Sequence, residues 1–323
     1  MWWKKTDRCR GCRTSSTGNG NREISNERRK VQLVLISVGA MPSAISNVPS
    51  MAKKEELALL YTLAKDVYEG YGCILEGGVF LGSSTLALGH GLLKNKRLKL
   101  IAEVFPRPIE TFDRFVLSSF ESMAASKAYP FAGLKQGSSS LQVYKENVKE
   151  VSHLQNLHVG DAIQELKGLL APTGIEIAFL DFLKSVELNE AAVRYIFPKL
   201  LPGRSVVVQQ DFQHDAEPWI HVTMGFFKEY FKFISAIPGG TVVYQYNKKI
   251  PEQLLHHFPS YHTAPLDSLL FYFDEGCREV LPHMIPGYRQ QVCRARSNLI
   301  QARCYLPCNS SVLGSTAPSD CRD

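Results

Sequence analysis

The sequence has no long apolar run. A membrane-spanning helix needs roughly 18 or more consecutive apolar residues, and the longest apolar stretch near the start, Val31 to Met41, is too short. The 323 residues include only eight Cys, far below the density of a disulfide-built secreted domain. We therefore expect a cytoplasmic protein with no membrane partner. A targeting segment in the basic start of the chain is the alternative.

Two nucleotide-binding signatures are also missing. Neither GxGxxG nor GxxxxGK[ST] occurs, which argues against ordinary NAD and ATP sites.

Positive charge is scarce outside the start of the chain: residues 1–54 carry eleven Lys and Arg against three Asp and Glu, and residues 55–323 sum to −2. A near-neutral folded part lacks the basic surface that nucleic acid requires, so we expect no nucleic-acid partner.

The composition divides the chain into three zones. Residues 1–52 are rich in Ser, Gly, Asn and Arg, and we predict a disordered basic leader. Its Cys9 and Cys12 form a CxxC, but no second pair follows at the spacing of a four-ligand zinc site. Residues 53–277 alternate between helical and strand patterns and form the predicted domain. Residues 278–323 contain one possible basic helix and a flexible tail rich in Cys, Ser and Pro.

The alternation of the middle zone predicts an α/β fold: a Rossmann-like, doubly wound sheet of seven strands. The last two apolar runs are joined only by "PGG", too short for a crossover, so they should form an antiparallel hairpin at the end of an otherwise parallel sheet. After the first strand, at Ile74–Leu75, the predicted strands are Ile109–Phe112, Leu157–Val159, Ile175–Leu180, Ser205–Val208, Phe231–Ile237 and Thr241–Tyr246.

A glycine-rich turn follows the first strand. The segment "ILEGGVFLGSST" passes through Glu76, Gly77, Gly78 and Gly82 into a helix start that includes Ser84. Glycines let a backbone approach a ligand closely, and a helix start offers unpaired N–H groups. An ordinary turn explains this segment alone about equally well.

Four acidic residues follow later strands. Asp113, Asp161, Asp181 and Asp211 each come just past an apolar run. Ligands of open α/β sheets lie at the carboxyl ends of the strands, where such side chains could hold a ribose, an adenine and a polar substrate. For any single Asp, a helix N-cap or a turn is the alternative. Together they favour a binding site.

These segments resemble a known family. "LEGGVFLGSSTLAL", "TFDRF", "LHVGDAIQEL", "IAFLDFLKSVELN" and "LLPGRSVVVQQDFQHDAEPWIHVTMGFFKEYF" are similar to class I S-adenosylmethionine-dependent methyltransferases, in particular to small-molecule O-methyltransferase-like enzymes related to macrocin O-methyltransferase. The similarity covers about residues 55–275.

The resemblance implies roles for individual residues. Glu76, Gly78 and Gly82 would line the methionine end of S-adenosylmethionine, Asp113 would bind the ribose hydroxyls, and Asp161 would face the adenine. The wider set of implied cofactor-binding residues adds Gly77, Ser84 and Asp181.

The resemblance also implies a divalent metal site, from which this chain departs. Macrocin-type enzymes tend to have Asp-x-Asp after the fourth strand, whereas this chain reads Asp181-Phe182-Leu183. Asp211 follows Gln210 where a pair of acids would be expected. Asp181 and Asp211 are therefore weak candidates for Mg²⁺ ligands, because two scattered carboxylates make a poor site.

Methyl transfer to oxygen needs alignment and benefits from a base. The catalytic candidates are His214, Asp211 and Lys184, and His214 is the best placed because it lies just beyond a strand end. His221, farther along, is expected at a helix surface or half-buried.

The predicted function is methyl transfer from S-adenosylmethionine to an oxygen of a small-molecule acceptor, with a sugar hydroxyl as the suggested acceptor. A homo-oligomer is compatible with the sequence. Two alternatives stay open: a nicotinamide-dependent oxidoreductase and a catalytically inactive, methyltransferase-like binding domain.

Overall fold

The protein is built around one seven-stranded sheet, seen in a computed structural model that describes residues 41–169 and 174–304. The strand order is β3-β2-β1-β4-β5-β7-β6; β1 to β5 are mutually parallel, and β7 runs antiparallel to both β5 and β6. The predicted Rossmann-like sheet with its C-terminal hairpin is thereby confirmed. The strands are β1 (Cys73–Gly77), β2 (Ile109–Asp113), β3 (Gln155–Val159), β4 (Ile175–Leu180), β5 (Val206–Gln209), β6 (Phe231–Ile237) and β7 (Thr241–Tyr246).

Helices cover both faces of the sheet and bury two large apolar clusters against it. Helices α2, α3 and α6 lie on one face, and α7, α8, α9, α11 and α12 lie on the other. The helices are α1 (Ser43–Ser46), α2 (Lys54–Thr62), α3 (Ser83–Leu93), α4 (Leu98–Val104), α5 (Ser119–Ala128), α6 (Leu141–Asn147), α7 (Ala162–Gly168), α8 (Val186–Tyr195), α9 (Pro218–Phe226), α10 (Glu252–His256), α11 (Leu266–Arg278) and α12 (Pro286–Cys304).

The packed part of the chain extends beyond the predicted domain at both ends. Ile45, assigned to the leader from sequence, is fully buried in the cluster beneath α2 and α3. The possible basic helix after residue 278 is present as α12, and its Val292, Ala295 and Leu299 are buried in the other cluster. The boundaries at 53 and 277 are therefore too narrow. The rest of the predicted leader, with Cys9 and Cys12, and the tail after 304 lie outside the described residues.

A search of the helices in the described ranges finds none with both the length and the apolar character needed to cross a lipid bilayer.

Two glycines allow α9 and α11 to touch backbone to backbone. A Cβ on Gly225 would lie 1.7 Å from the Tyr272 carbonyl oxygen, and one on Gly276 would lie 2.2 Å from the His221 carbonyl oxygen. Both distances are far below any real contact, so neither position accepts a side chain unless the helices separate. This crossing sets the position of α9, which begins at the end of a loop that carries candidate catalytic residues.

We predict that Gly276→Ala destabilises the protein. The methyl group would force α9 and α11 apart, which should lower the free energy of unfolding by about 1–3 kcal/mol. Urea denaturation followed by circular dichroism measures the change. Gly287→Ala, in α12, is the matched control because a Cβ there meets nothing within 4 Å. If the two variants were equally stable, the close backbone packing of α9 against α11 would be contradicted.

Candidate functional site

The site predicted from sequence lies where the strand order reverses. β1 has β2 on one side and β4 on the other, so the chain leaves β1 and β4 into loops that meet at the carboxyl edge of the sheet. In open α/β sheets this switch point is where ligands bind. The two loops are in close contact here, since a Cβ on Gly78 would lie 2.6 Å from the Asp181 carbonyl oxygen.

Asp113 joins the loops that follow β1 and β2. Its carboxylate accepts hydrogen bonds from the Val79 N–H at 2.8 Å and from the Phe115 N–H at 2.6 Å. Phe80 and Phe115 both have positive φ, +49° and +53°, which is rare for bulky residues and is held here by the surrounding contacts. Burial raises the pKa of Asp113, and the two backbone bonds oppose that rise.

The first turn of α3 has no side-chain cap. Gly82, the N-cap residue, has a left-handed backbone (φ +99°). The N–H groups of a first turn have no partners within their own helix and favour negative charge. Ser83 donates a hydrogen bond to Ser50 Oγ at 2.7 Å, so the segment before α2 borders this turn.

Glu76 forms a hydrogen bond with the first turn of α3. Its side chain is fully buried, and its Oε2 accepts hydrogen bonds from Thr85 Oγ1 at 2.9 Å and from Thr111 Oγ1 at 3.2 Å. Ser84, which is also buried, hydrogen-bonds to the same carboxyl group. Burial raises the pKa of Glu76 to about 7 despite these bonds.

Asp161 caps α7. Its Oδ1 accepts hydrogen bonds from the N–H groups of Ile163, at 2.9 Å, and Gln164, at 3.1 Å. This is the capping role that the sequence left open, and the residue is exposed at the end of β3. Its contact with adenine stays a prediction.

Lys184 brings two predicted residues together. Its Nζ lies 3.0 Å from Asp181 Oδ1 and also contacts Asp211 Oδ2, so a single ammonium joins the ends of β4 and β5. Burial raises the pKa of Asp181, and the neighbouring ammonium opposes the rise. The negative charge of Asp113 also raises the pKa of Asp181.

His214 has an orienting partner that the sequence analysis missed. Its Nδ1 lies 2.8 Å from an oxygen of Glu217, which is 8% exposed, whereas the contact of Nδ1 with the Ala216 N–H is longer at 3.3 Å. The hydrogen bond to Glu217 raises the pKa of His214. The spacing His-x-x-Glu was a usable signal, because it falls just before a helix.

The expectation for His221 was wrong. The side chain is fully buried, with its ring 4.5 Å from the rings of both Phe212 and Phe273, and burial lowers its pKa to about 4. The face of α9 that carries His221 is covered by α11, a contact that the local pattern does not show.

Helix α12 holds the loop that carries Asp211 and His214. Arg294 Nε pairs with Asp215 Oδ2 at 2.7 Å, and Asn298 Nδ2 donates to the Asp215 carbonyl oxygen at 2.9 Å. The pairing with Arg294 lowers the pKa of Asp215.

A cavity of about 660 Å³ lies elsewhere, between α8 and α10. Its lining includes Arg194, Pro198 and Ile250, which lie toward the amino edge of β4, away from the switch point. It is therefore not the predicted cofactor site.

Solved structures of similar fold include three with low sequence identity. CalS11, described as a calicheamicin methyltransferase, is 18% identical with a TM-score of 0.42 and covers 75% of this chain and 100% of its own. The O-methyltransferase NovP is 12% identical with a TM-score of 0.45, covering 71% and 100%. Cofactor-bound Rv0187 from MTB is 12% identical with a TM-score of 0.40, covering 72% and 93%.

No protein-family model matches the chain, and the search of curated proteins finds no relative. The strand order itself carries the fold assignment.

We predict that Glu76 makes stability fall as the pH rises. Its folded-state pKa of about 7 lies above the ordinary glutamate value of 4.5, so the protonated folded form is favoured and stability is lost as the pH rises between those two values. Wild type should lose about 2–3 kcal/mol relative to Glu76→Gln between about pH 5 and about pH 8. Urea unfolding at both pH values measures this difference.

The exposed Glu252 supplies the control, since Glu252→Gln should keep the pH dependence of wild type. Parallel pH profiles for wild type and Glu76→Gln would show that this carboxyl group titrates alike in the folded and unfolded chains.

Proposed function

We propose that the protein is a methyltransferase that uses S-adenosylmethionine and methylates an oxygen of a small molecule. The observation that carries the proposal is the charge pattern at the switch point. Partly exposed Asp113 and Asp181 lie at the ends of β2 and β4, the two neighbours of β1, and the loop after β1 leads into the uncapped start of α3. A donor with a cationic sulfonium and ammonium and an anionic carboxylate complements both features.

Each part of the donor has a proposed place on this chain. The first-turn N–H groups of α3 would bind its carboxylate, as helix starts bind anions elsewhere. Asp113 would accept hydrogen bonds from the ribose hydroxyls, because each carboxylate oxygen has a second lone pair beyond its bond to a backbone N–H. Asp161 would face the adenine, as the family resemblance implies.

The chain's own residues would manage the proton of the acceptor. Bound S-adenosylmethionine supplies an electrophilic methyl group, so positioning and proton removal are what the protein must add. In the tautomer that we propose, Nδ1–H of neutral His214 donates to Glu217 and Nε2 is free as a base. Nε2 would accept the proton of the acceptor hydroxyl while that oxygen takes up the methyl group, which the bound donor would supply, leaving as the neutral thioether.

A sugar hydroxyl is the acceptor that we propose, on the strength of the family resemblance alone. A panel of nucleotide sugars, glycosides and phenols, with transfer of a radiolabelled methyl group as readout, would identify the class. Transfer to none of the sugars would remove this part of the proposal.

We predict that the protein binds S-adenosylmethionine and its demethylated product, and that Asp113→Ala weakens both. Calorimetric titration should give dissociation constants that rise about tenfold or more in the variant, because one set of charge-assisted hydrogen bonds is lost. Asp267→Ala, an exposed acid on α11, is the control for the loss of a carboxylate, and melting curves check that both variants fold. NAD should not bind. Binding of NAD with no response to S-adenosylmethionine would favour an oxidoreductase.

We also predict that Glu217 sets the pH dependence of catalysis through His214. A base must be deprotonated, so kcat/KM should rise with pH through the pKa of His214, which Glu217 raises. Glu217→Gln removes that effect, and the acidic limb should move to lower pH. His214→Ala should abolish the limb and lower the rate by about 10²-fold or more. An unchanged rate in His214→Ala would remove His214 as the base.

A further inference from the structure

The Lys184 ammonium lies between the carboxylates at the ends of β4 and β5. It is 3.0 Å from Asp181 Oδ1 and in contact with Asp211 Oδ2, while half of its side chain stays exposed. One face of the charged group is therefore held by the protein, and the other is open toward the carboxyl edge of the sheet.

Asp211 is fixed in this position by its backbone. Its φ of +59° is unusual for a residue other than glycine. The turn that follows it is pinned by Gln213, whose N–H donates to the Gly240 carbonyl oxygen at 3.0 Å and whose Nε2 donates to Ile237 and Thr241 carbonyl oxygens. Strained backbone that the surroundings hold in place is typical of functional positions.

Other carboxylates influence Asp181. The negative charges of Asp113 and Glu121 raise its pKa. A cation in contact with Asp181 and Asp211 therefore stabilises their ionised forms. The family resemblance implies a divalent metal ion for this role, but the described residues contain no group of three or more Asp, Glu, His or Cys side chains that could hold one. The residues present do not fit that site, and Lys184 reaches the two carboxylates that remain.

We propose that the Lys184 ammonium is the resident cation of this site and stands where related enzymes would place a divalent metal ion. It neutralises Asp181 and Asp211 and presents its remaining N–H groups to the acceptor oxygen. The contact of these N–H groups with an acceptor oxygen rests on the proposed methyltransferase function. The neutralisation of Asp181 and Asp211 by the ammonium does not.

The test is whether removal of the ammonium creates a metal site. Lys184→Ala leaves two facing carboxylates, and Mg²⁺-type ions bind proteins through one or two carboxylates together with water. We expect Mn²⁺, titrated as the chloride and followed by loss of the free-ion electron paramagnetic resonance signal, to bind Lys184→Ala about tenfold or more tightly than wild type. Lys184→Gln should show the same gain, and circular dichroism checks the fold of both variants.

Three controls define the site. Lys184→Arg keeps the positive charge and should not gain Mn²⁺ binding. Lys167→Ala removes an exposed lysine on α7 and should behave as wild type. Adding Asp211→Asn to Lys184→Ala should abolish the gain, because one of the two carboxylate ligands is lost.

Two results would overturn the proposal. Mn²⁺ binding to wild type as tight as to Lys184→Ala would mean that a metal ion displaces the ammonium. Equal and weak binding by both would mean that the two carboxylates do not form a cation site. The measurement needs neither methyl donor nor acceptor, so its outcome is separate from that of the donor titration.

Discussion

Parallel strands leave a sheet at the same edge, and here that edge collects acidic side chains from β2, β4 and the turn after β5. Asp113, Asp181 and Asp211 would repel one another unless each found donors. Asp113 obtains them from backbone N–H groups of two loops, whereas Asp181 and Asp211 share the ammonium of Lys184. These contacts also fix the positions of the loops relative to one another. The remaining features of the site depend on those loop positions.

Segments far apart in the chain support the same edge. Glu56, near the start of α2, accepts a hydrogen bond from Thr241 Oγ1 at 2.6 Å at the beginning of β7. From the other end, Arg294 holds Asp215, and Tyr288 contacts Lys53 Nζ at 2.7 Å. Helix α12, which the sequence analysis placed outside the domain, therefore belongs to the architecture of the site.

The features that could be predicted from sequence are local. The β6–β7 hairpin follows from a connection too short for a crossover, and Lys184 lies only three residues after Asp181 in the same loop. The contact between Lys184 and Asp211 could not be predicted in the same way, because it requires β4 and β5 to be neighbours. The burial of His221 likewise depends on α11, some fifty residues later in the chain. Long-range packing decides such positions, and a single sequence carries no direct signal for it.

The contact between Gly225 and Gly276 leaves no free space between α9 and α11. Trp219, in the first turn of α9, donates a hydrogen bond to the Leu183 carbonyl oxygen at 2.8 Å. The position of α9 therefore also fixes the loop after β4. A change in the shape of the site could therefore not evolve by sliding this helix. Such a change would have to come through exposed segments of the neighbouring loops, while the packed pair of helices stays constant.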